Sequence, residues 1–309
     1  LKTGSLFDVD FQTDLLIDKD PKTEKFIISE NETRVDFRFE DLMVAYSDTL
    51  MPVTDANGHG SYKNDTLSIF GQRAKIGDID GKNIDLKMVD LSVTGGGYAD
   101  ISVDIDGSLK TALQYISDDP IHMGEDLGFD PKQTRGDVQA KINIGFPTIV
   151  NLPKEEVTVE VNGIIKDAFI PKVVKNLDLS GGPLDFRYDE GVISLKGSGM
   201  LSNRPIDLEW IQYTDEREKD FVTRIKAKLL VDQDLRHIFN IDLDEYISGS
   251  VPVNIVYKEK NSVMSTVDVL GSFNGTPIEI QALHYKKPSQ AKGEFSLRAI
   301  LQDDVLTEI

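Results

Sequence analysis

The chain has 309 residues, of which 34 are lysine or arginine and 53 are aspartate or glutamate, so its formal net charge is −19. A surface this acidic repels a phosphate backbone and an anionic membrane, which disfavours nucleic-acid binding. There is no cysteine, which rules out disulfides, thiolate zinc sites and cysteine nucleophiles.

The length suits one large β domain or two smaller ones, and no apolar run approaches the roughly 18–20 residues of a membrane-spanning helix. The sequence opens at Leu1 and closes at Ile309 in the middle of a pattern. We therefore expect a fragment of a longer protein, with any signal or anchor outside the chain.

In the first half of the chain, turn signals come before a helix and two strands. Asp80-Gly81 and Asp106-Gly107 are pairs typical of hairpin turns, because both residue types tolerate positive φ. Ser108 is a suitable N-cap for a short helix over 108–116. Strict alternation of apolar and polar residues then predicts half-buried strands over 138–146 and 157–161.

The second half of the chain continues the same alternation. It predicts strands over 221–231, 251–257 and 293–301, with a short helix or turn between Asp234 and Tyr246. Further turn pairs are Asn162-Gly163, Gly181-Gly182-Pro183, Glu190-Gly191 and Asn274-Gly275. Such closely spaced turns leave no room for the crossovers that parallel strands need, so we predict an antiparallel meander.

One internal repeat is visible. Residues 127–130 precede Gly136 and an alternating strand, and residues 239–242 precede Gly249 and a second alternating strand. The offset of about 112–113 residues is too long for a short solenoid period and suggests duplicated supersecondary units. We expect one continuous sheet in three segments: 1–120, which ends in a short helix, 121–233, and 234–309.

A search for a catalytic or metal site finds no constellation. None of the four histidines has another histidine at a metal-ligand spacing. These residues are His59, His122, His237 and His284. Residues 78–81 and 104–107 match the start of a calcium loop, but the remaining acidic positions of an EF-hand are missing. We expect no catalytic residue, no metal and no cofactor.

The apolar sides of the strands are the informative feature, and two architectures could use them. Two packed sheets would bury them as a sandwich core, whereas one long curled sheet would line an open groove. The low aromatic content of 8% and the many small or β-branched inward residues favour the groove. The residues expected to line it are Val103, Ile105, Val138, Ala140, Ile142, Ile144, Phe146, Val157, Val159, Val161, Ile193, Leu195, Ile225, Leu229, Val251, Val253, Ile255, Tyr257, Phe295 and Leu297.

A spaced pattern of small motifs runs through the same region. In chain order it comprises Pro52, residues 58–60, Leu67, Ile69, Gly71, Ala74, Gly77, residues 107–109, 119–120 and 128–131, Gly136, the strand 138–146 with Pro147, Gly163, Leu177, Leu179, and residues 182–184, 191–195 and 197–199. This pattern resembles the AsmA-like superfamily, in particular its YhdP branch. The similarity is looser through Asp242 and Gly249 and weaker over residues 1–66.

The resemblance implies a large envelope protein of diderm bacteria, anchored in the inner membrane by an N-terminal helix. Its periplasmic part is expected to be a mainly β, long curled antiparallel sheet with an open apolar groove and one or two short helices. The implied partners are phospholipid or another acyl lipid and, through parts outside this chain, the inner and outer membranes. The implied role is passive movement of phospholipid without catalytic residues.

Two other functions remain open on the residues alone. One is a structural or adhesive β-sandwich that binds a protein partner through its acidic outer face. The other is a carbohydrate-active or calcium-dependent β protein, and the lack of clustered aromatics speaks against sugar stacking. An accessible apolar surface would support the lipid groove, and a closed core would support the sandwich.

Overall fold

The structure is a computed structural model that describes residues 2–93, 96–118, 129–214, 220–260, 263–303 and 305–309. The first strands are β1 (Thr3–Lys19), β2 (Phe26–Val44), β3 (Val53–Lys63), β4 (Thr66–Ile76), β5 (Ile79–Val89), β6 (Tyr98–Ser108), β7 (Arg135–Pro147) and β8 (Thr158–Val174). They are followed by β9 (Leu177–Gly181), β10 (Leu184–Asp189), β11 (Val192–Leu201), β12 (Arg204–Tyr213), β13 (Thr223–Val231), β14 (Val251–Glu259), β15 (Met264–Ser272), β16 (Ile278–Ile280), β17 (Tyr285–Lys287), β18 (Glu294–Gln302) and β19 (Val305–Glu308). The helices are α1 (Leu109–Ser117) and α2 (Gln233–Ile238).

The fold is mainly β, and its strands pair antiparallel, as the alternation predicted. Among the described residues, 17 strands belong to one hydrogen-bonded sheet, and β16 and β17 form a separate two-stranded sheet. Most connections are tight turns, which join antiparallel neighbours. The predicted strands over 138–146, 251–257 and 293–301 correspond to β7, β14 and β18.

The chain divides into two compact units. Unit 1 is Leu1–Leu127 with Asp137–Gly163, and unit 2 is Gly128–Gly136 with Ile164–Ile309. In unit 1, β1 pairs with β2 and the strands from β2 to β7 pair in chain order. The segment boundary expected at residue 120 lies outside the described residues.

Unit 2 is a second meander with departures from chain order at β9 and at β15. Strands β10 to β15 pair sequentially, and β15 then pairs with β18 because β16 and β17 form their own small sheet. Strand β9 pairs with β8 and with the end of β11. The last strand, β19, pairs with β18.

Three of the predicted turns are wrong, because they lie inside strands. They are Asp80-Gly81 in β5, Asp106-Gly107 in β6 and Asn162-Gly163 in β8. The physical reason is visible at Gly107, where a Cβ would lie 2.6 Å from the Cα of Ile79, so this glycine allows close approach of two strands. The pairs at 190–191 and 274–275 are turns as predicted, each with its glycine at positive φ.

Both helices directly follow a strand and lead back to its neighbour. The Ser108 side chain caps α1 by accepting from the Thr111 amide at 3.1 Å, and Asp232 caps α2 by accepting from the Leu235 amide at 2.8 Å. Both predicted helices are confirmed, and the second is shorter than its predicted range. The duplication hypothesis stays a prediction, because residues 127–128 of its first copy lie outside the described residues.

Candidate functional site

One side of strands β6 and β7 is apolar from end to end. Val103 pairs with Ile142 on that side, whereas Asp104 pairs with Lys141 on the other. Because side chains alternate along a strand, this register collects the apolar residues on one face, which we call the apolar face of unit 1. Its other β6–β7 pairs are Ala99 with Phe146, Ile101 with Ile144, Ile105 with Ala140, and Gly107 with Val138.

The apolar face of unit 1 continues across the earlier strands. One row at right angles to the strands consists of Phe37, Gly60, Ile69, Leu86, Ile101 and Ile144, each paired with the next. Neighbouring strands lie about 4.8 Å apart, so this row of six strands is about 24 Å long. Unit 1 therefore carries an unbroken apolar strip across its sheet.

Val157, Val159 and Val161 extend this face beyond β7. The Thr158 hydroxyl donates to the carbonyl of Gly145 at 3.1 Å, on the polar side of β7. Since neighbouring residues in a strand point to opposite sides, the three valines point to the apolar side.

The apolar face of unit 2 has three rows of the same kind. The first row is Gly199, Ile206, Leu229, Val253, Gly271 and Phe295. The second row is Gly197, Leu208, Ala227, Ile255, Val269 and Leu297, and the third is Leu195, Trp210, Ile225, Tyr257, Val267 and Ala299. Ile193 lies on the same face one step beyond the third row, and Val251 lies one step before the first.

Most residues of both apolar faces remain partly exposed to solvent. Val103, Ile142 and Ile255 are only half-buried, as are most residues expected to line a groove. The fully buried members of that set are Val138, Ala140, Leu195, Leu229, Val251 and Val253. Most of these lie near the strand ends that lead into α1 or α2. The core of a two-sheet sandwich would bury the central side chains almost completely.

The total exposed surface agrees with uncovered sheet faces. The chain exposes 19573 Å² at a mass of 34.4 kDa. A compact protein of this mass exposes about 12,900 Å², and two separate compact halves would expose about 15,600 Å². Uncovered sheet faces account for such an excess.

Glycines opposite large side chains keep both faces shallow. A Cβ on Gly60 would lie 2.4 Å from Cζ of Phe37, and a Cβ on Gly271 would lie 2.0 Å from Cε1 of Phe295. Each aromatic ring therefore lies over the glycine of the next strand. A flat ring leaves room above the sheet for an apolar ligand.

The opposite side of unit 2 is charged and paired across strands. Arg298 donates from Nε to Oδ1 of Asp268 at 2.6 Å, and Lys226 donates to Oε1 of Glu209 at 2.9 Å. The hydrogen bond from Arg298 lowers the pKa of Asp268, and the one from Lys226 lowers the pKa of Glu209. Both carboxylates are therefore ionised at neutral pH, and their charges favour exposure of this side to water.

The comparison with known families identifies the chain. A family model described as YhdP protein matches residues 11–307. The chain belongs to the YhdP family. The resemblance to the YhdP branch that the sequence motifs indicated is confirmed, and it covers nearly all of the chain. No curated protein and no solved structure matches the chain.

The histidines of this YhdP-family chain lie apart from one another. His59 stacks on Phe70 with ring centroids 5.7 Å apart, His237 contacts Asp244, and His122 lies outside the described residues. In the described part of the chain, no three His, Cys, Asp or Glu side chains gather into a metal site. None of the described helices is long and apolar enough to cross a membrane.

Sequence reasoning missed much of the apolar face of unit 1 in this YhdP-family chain. The structure adds Phe37, Ile69 and Leu86, which belong to strands that had no predicted apolar side. Gly60 in β3 and Gly71 in β4 interrupt the alternation there, whereas the strand of Phe37 contains no glycine. Counting glycine as an inward residue restores the period of two, and that signal would have found the strands that contain these glycines.

A cavity of about 660 Å³ lies in unit 2 of the YhdP-family chain. Its lining includes Leu230 and Leu270, which are 48% and 58% exposed, whereas the inward residues Leu229 and Val253 at the same place are buried. The lining also contains all six residues of the first row of the apolar face of unit 2, so the cavity borders that face as well.

Proposed function

We propose that this chain shields the acyl chains of phospholipid on its two apolar faces, as a periplasmic segment of a conduit between the inner and outer membranes. The observation that carries the proposal is that in-register apolar rows cross six strands in each unit and that most of their residues stay partly exposed. Membership of the YhdP family supports a place in the cell envelope. Attachment to the two membranes would come from parts outside this chain.

The hydrophobic effect supplies the binding energy that this role needs. Each CH₂ removed from water contributes about 0.8 kcal/mol, so an acyl chain of about 16 carbons contributes roughly 10 kcal/mol. A lipid would also cover apolar side chains such as Ile142 and Ile255, which otherwise face water in part. The step requires no nucleotide, metal or covalent chemistry, and the direction of transport is set elsewhere.

The alternative function is a structural or adhesive sandwich that binds a protein partner through its acidic side. It needs a closed core between two sheets. Ile142 and Ile255 are partly exposed, whereas a closed core would bury them, so they count against this function. The acidic side is common to both functions and does not distinguish them.

Placing charge on both apolar faces tests the proposed function. We expect the double variant Ile142→Asp/Ile255→Asp to carry roughly tenfold less lipid or lower still, because an unpaired carboxylate is costly against acyl chains. Native mass spectrometry and lipid extraction, after incubation with phospholipid vesicles, measure the load. Circular dichroism checks that the variant remains folded.

The matched control is Asn143→Asp/Asn254→Asp, which adds the same charge at the neighbouring positions on the polar sides of β7 and β14. It should load lipid like the wild type. A wild-type chain that takes up no lipid from vesicles would overturn the proposal. Unfolding of the Ile142→Asp/Ile255→Asp variant beside a folded control would instead indicate a closed core.

A further inference from the structure

A polar row crosses the apolar face of unit 2, one step beyond the third row. Gln212 pairs with Thr223, Thr223 with Glu259, and Glu259 with Ser265. Each residue lies two positions from an apolar residue of the third row on its own strand, so its side chain points to the same face. Four polar residues on neighbouring strands thus stand side by side on a face that is otherwise apolar.

The side chains of this row have no protein partner. Thr223 is 9% exposed and Ser265 is 6% exposed. Among the described residues, neither their hydroxyls nor the side chains of Gln212 and Glu259 make a hydrogen bond or an ion pair. Within the part of the chain that the structure describes, the fully buried side-chain atoms without a partner are Nε of Arg224 and Nε of Arg236, so the polar atoms of this row reach the surface. A row of unpaired polar groups that opens from an otherwise apolar face can bind the polar part of a ligand.

At the other end of the same face, the apolar side chains are buried. In the first row, Ile206, Leu229 and Val253 are 7%, 9% and 6% exposed. Strand β12 begins there after a tight turn. Strand β13 ends there before α2, and β14 begins there after α2. The face therefore has buried apolar side chains at one end and a polar row at the other.

The distance between the two ends matches a lipid tail. Six residues separate Ile206 from Gln212 along β12, which is about 20 Å in a strand. One leaflet of a bilayer holds its tails within about 15 Å, half of the hydrocarbon core. A lipid that lies along the strands can therefore reach from the polar row to the first row.

We infer that the polar row holds the headgroup of the lipid that lies on unit 2, and that Glu259 selects a headgroup bearing a cationic amine. The inference rests on the proposed function and adds an orientation and a headgroup class to it. The Glu259 carboxylate would accept charge-assisted hydrogen bonds from the ammonium. Gln212, Thr223 and Ser265 can donate to the phosphate oxygens, which satisfies all four side chains.

The same geometry disfavours a headgroup that carries only negative charge. Its phosphate would lie near Glu259 without an amine to offset the repulsion, in a chain whose net charge is −19. A zwitterionic aminoethyl phosphate headgroup can place its amine at Glu259 and its phosphate at the neighbouring residues of the polar row. The preference between the two headgroups is therefore the measurable quantity.

A competition between two lipids with identical tails tests the inference. Vesicles contain equal amounts of phosphatidylethanolamine and phosphatidylglycerol, and native mass spectrometry gives the ratio that is loaded. The Ile142→Asp background confines loading to unit 2. We expect roughly threefold to tenfold preference for the amine headgroup, falling towards one in Ile142→Asp/Glu259→Gln while the total load is kept.

The control Ile142→Asp/Glu294→Gln removes a carboxylate on the polar side of β18 and should keep the preference. Equal loading of the two lipids, or a preference that Glu259→Gln does not change, would overturn the headgroup site and leave the lipid-binding face standing. If the wild-type chain loads neither lipid, the proposed function fails.

Discussion

Gly107 and Gly81 both follow an aspartate inside a strand, yet only one of them has room for a methyl group. A Cβ on Gly107 would lie 2.6 Å from the backbone of Ile79, whereas a Cβ on Gly81 would lie 3.4 Å from Cγ2 of Val103, an ordinary contact. The aspartate–glycine pair looks alike at both places. The difference comes from how closely the neighbouring strand approaches.

We expect Gly107→Ala to lower the free energy of unfolding by about 1–3 kcal/mol, because the backbone of Ile79 must shift. Gly81→Ala should change it by about 0.5 kcal/mol or less, since the methyl group fits and the unfolded chain loses freedom. Urea unfolding of the two variants, followed by circular dichroism, measures both values. Equal destabilisation would show that the strand spacing at Gly107 is not as close as described.

Thr223 belongs to the unpartnered polar row, and its replacement separates stability from lipid binding. Thr223→Val keeps the shape and removes a hydroxyl that has no partner, so the lipid-free chain should gain up to about 1 kcal/mol of stability. The same change should reduce the amount of amine lipid that is retained. Thr266→Val, on the polar side of β15, is the control and should do neither.

The α2 crossover is held by one buried cation. The Arg236 guanidinium donates to Oδ1 of Asp244 at 3.0 Å and to the carbonyl of Gly249 at 3.1 Å. The hydrogen bonds from Arg236 and then from Gln233 lower the pKa of Asp244. These contacts hold the crossover in place between β13 and β14, beside the buried side chains of the first row of the apolar face of unit 2.

The lowered pKa of Asp244 predicts acid sensitivity of this crossover. A carboxylate with a depressed pKa stabilises the fold above its unfolded value, about 3.9, and loses that contribution as the pH falls through its folded pKa. We expect the amide protection factors of residues 235–247 to fall below about pH 4. Hydrogen exchange at several pH values measures them after correction for intrinsic rates. In Asp244→Asn protection should already be reduced at pH 7, and a wild-type profile there would contradict the role of this contact.

Sequence patterns found the elements whose information is local. The alternation in β7 and β14 and the caps at Ser108 and Asp232 depend on residues a few positions apart. The strands β3 to β5 were not found, because glycines on the inward side break the period. Strand β2 was missed although its alternation at Val35, Phe37 and Phe39 is intact. The contact between Arg236 and Asp244 was not found either, because it closes a loop that has no periodic signal.

At the scale of the whole molecule, each unit carries its own rows of paired apolar residues, and the strands that carry these rows belong to one hydrogen-bonded sheet. No row of paired residues described above contains both Ile142 of unit 1 and Ile255 of unit 2. The strips were predictable from alternation, but their openness was not, because the same pattern fits a closed sandwich. Openness depends on what covers a face, and no local pattern encodes that.

Rows of apolar residues that are confined to one unit predict additive lipid loads. Ile142→Asp should remove the lipid bound to unit 1 and Ile255→Asp the lipid bound to unit 2, so each single variant should keep about half of the wild-type load, as independent sites do. The double variant should keep almost none. Native mass spectrometry distinguishes a shift in the number of lipids per chain from a uniform loss. If either single change empties the whole chain, the two faces bind lipid as one cooperative surface, and the description of two independent faces is wrong.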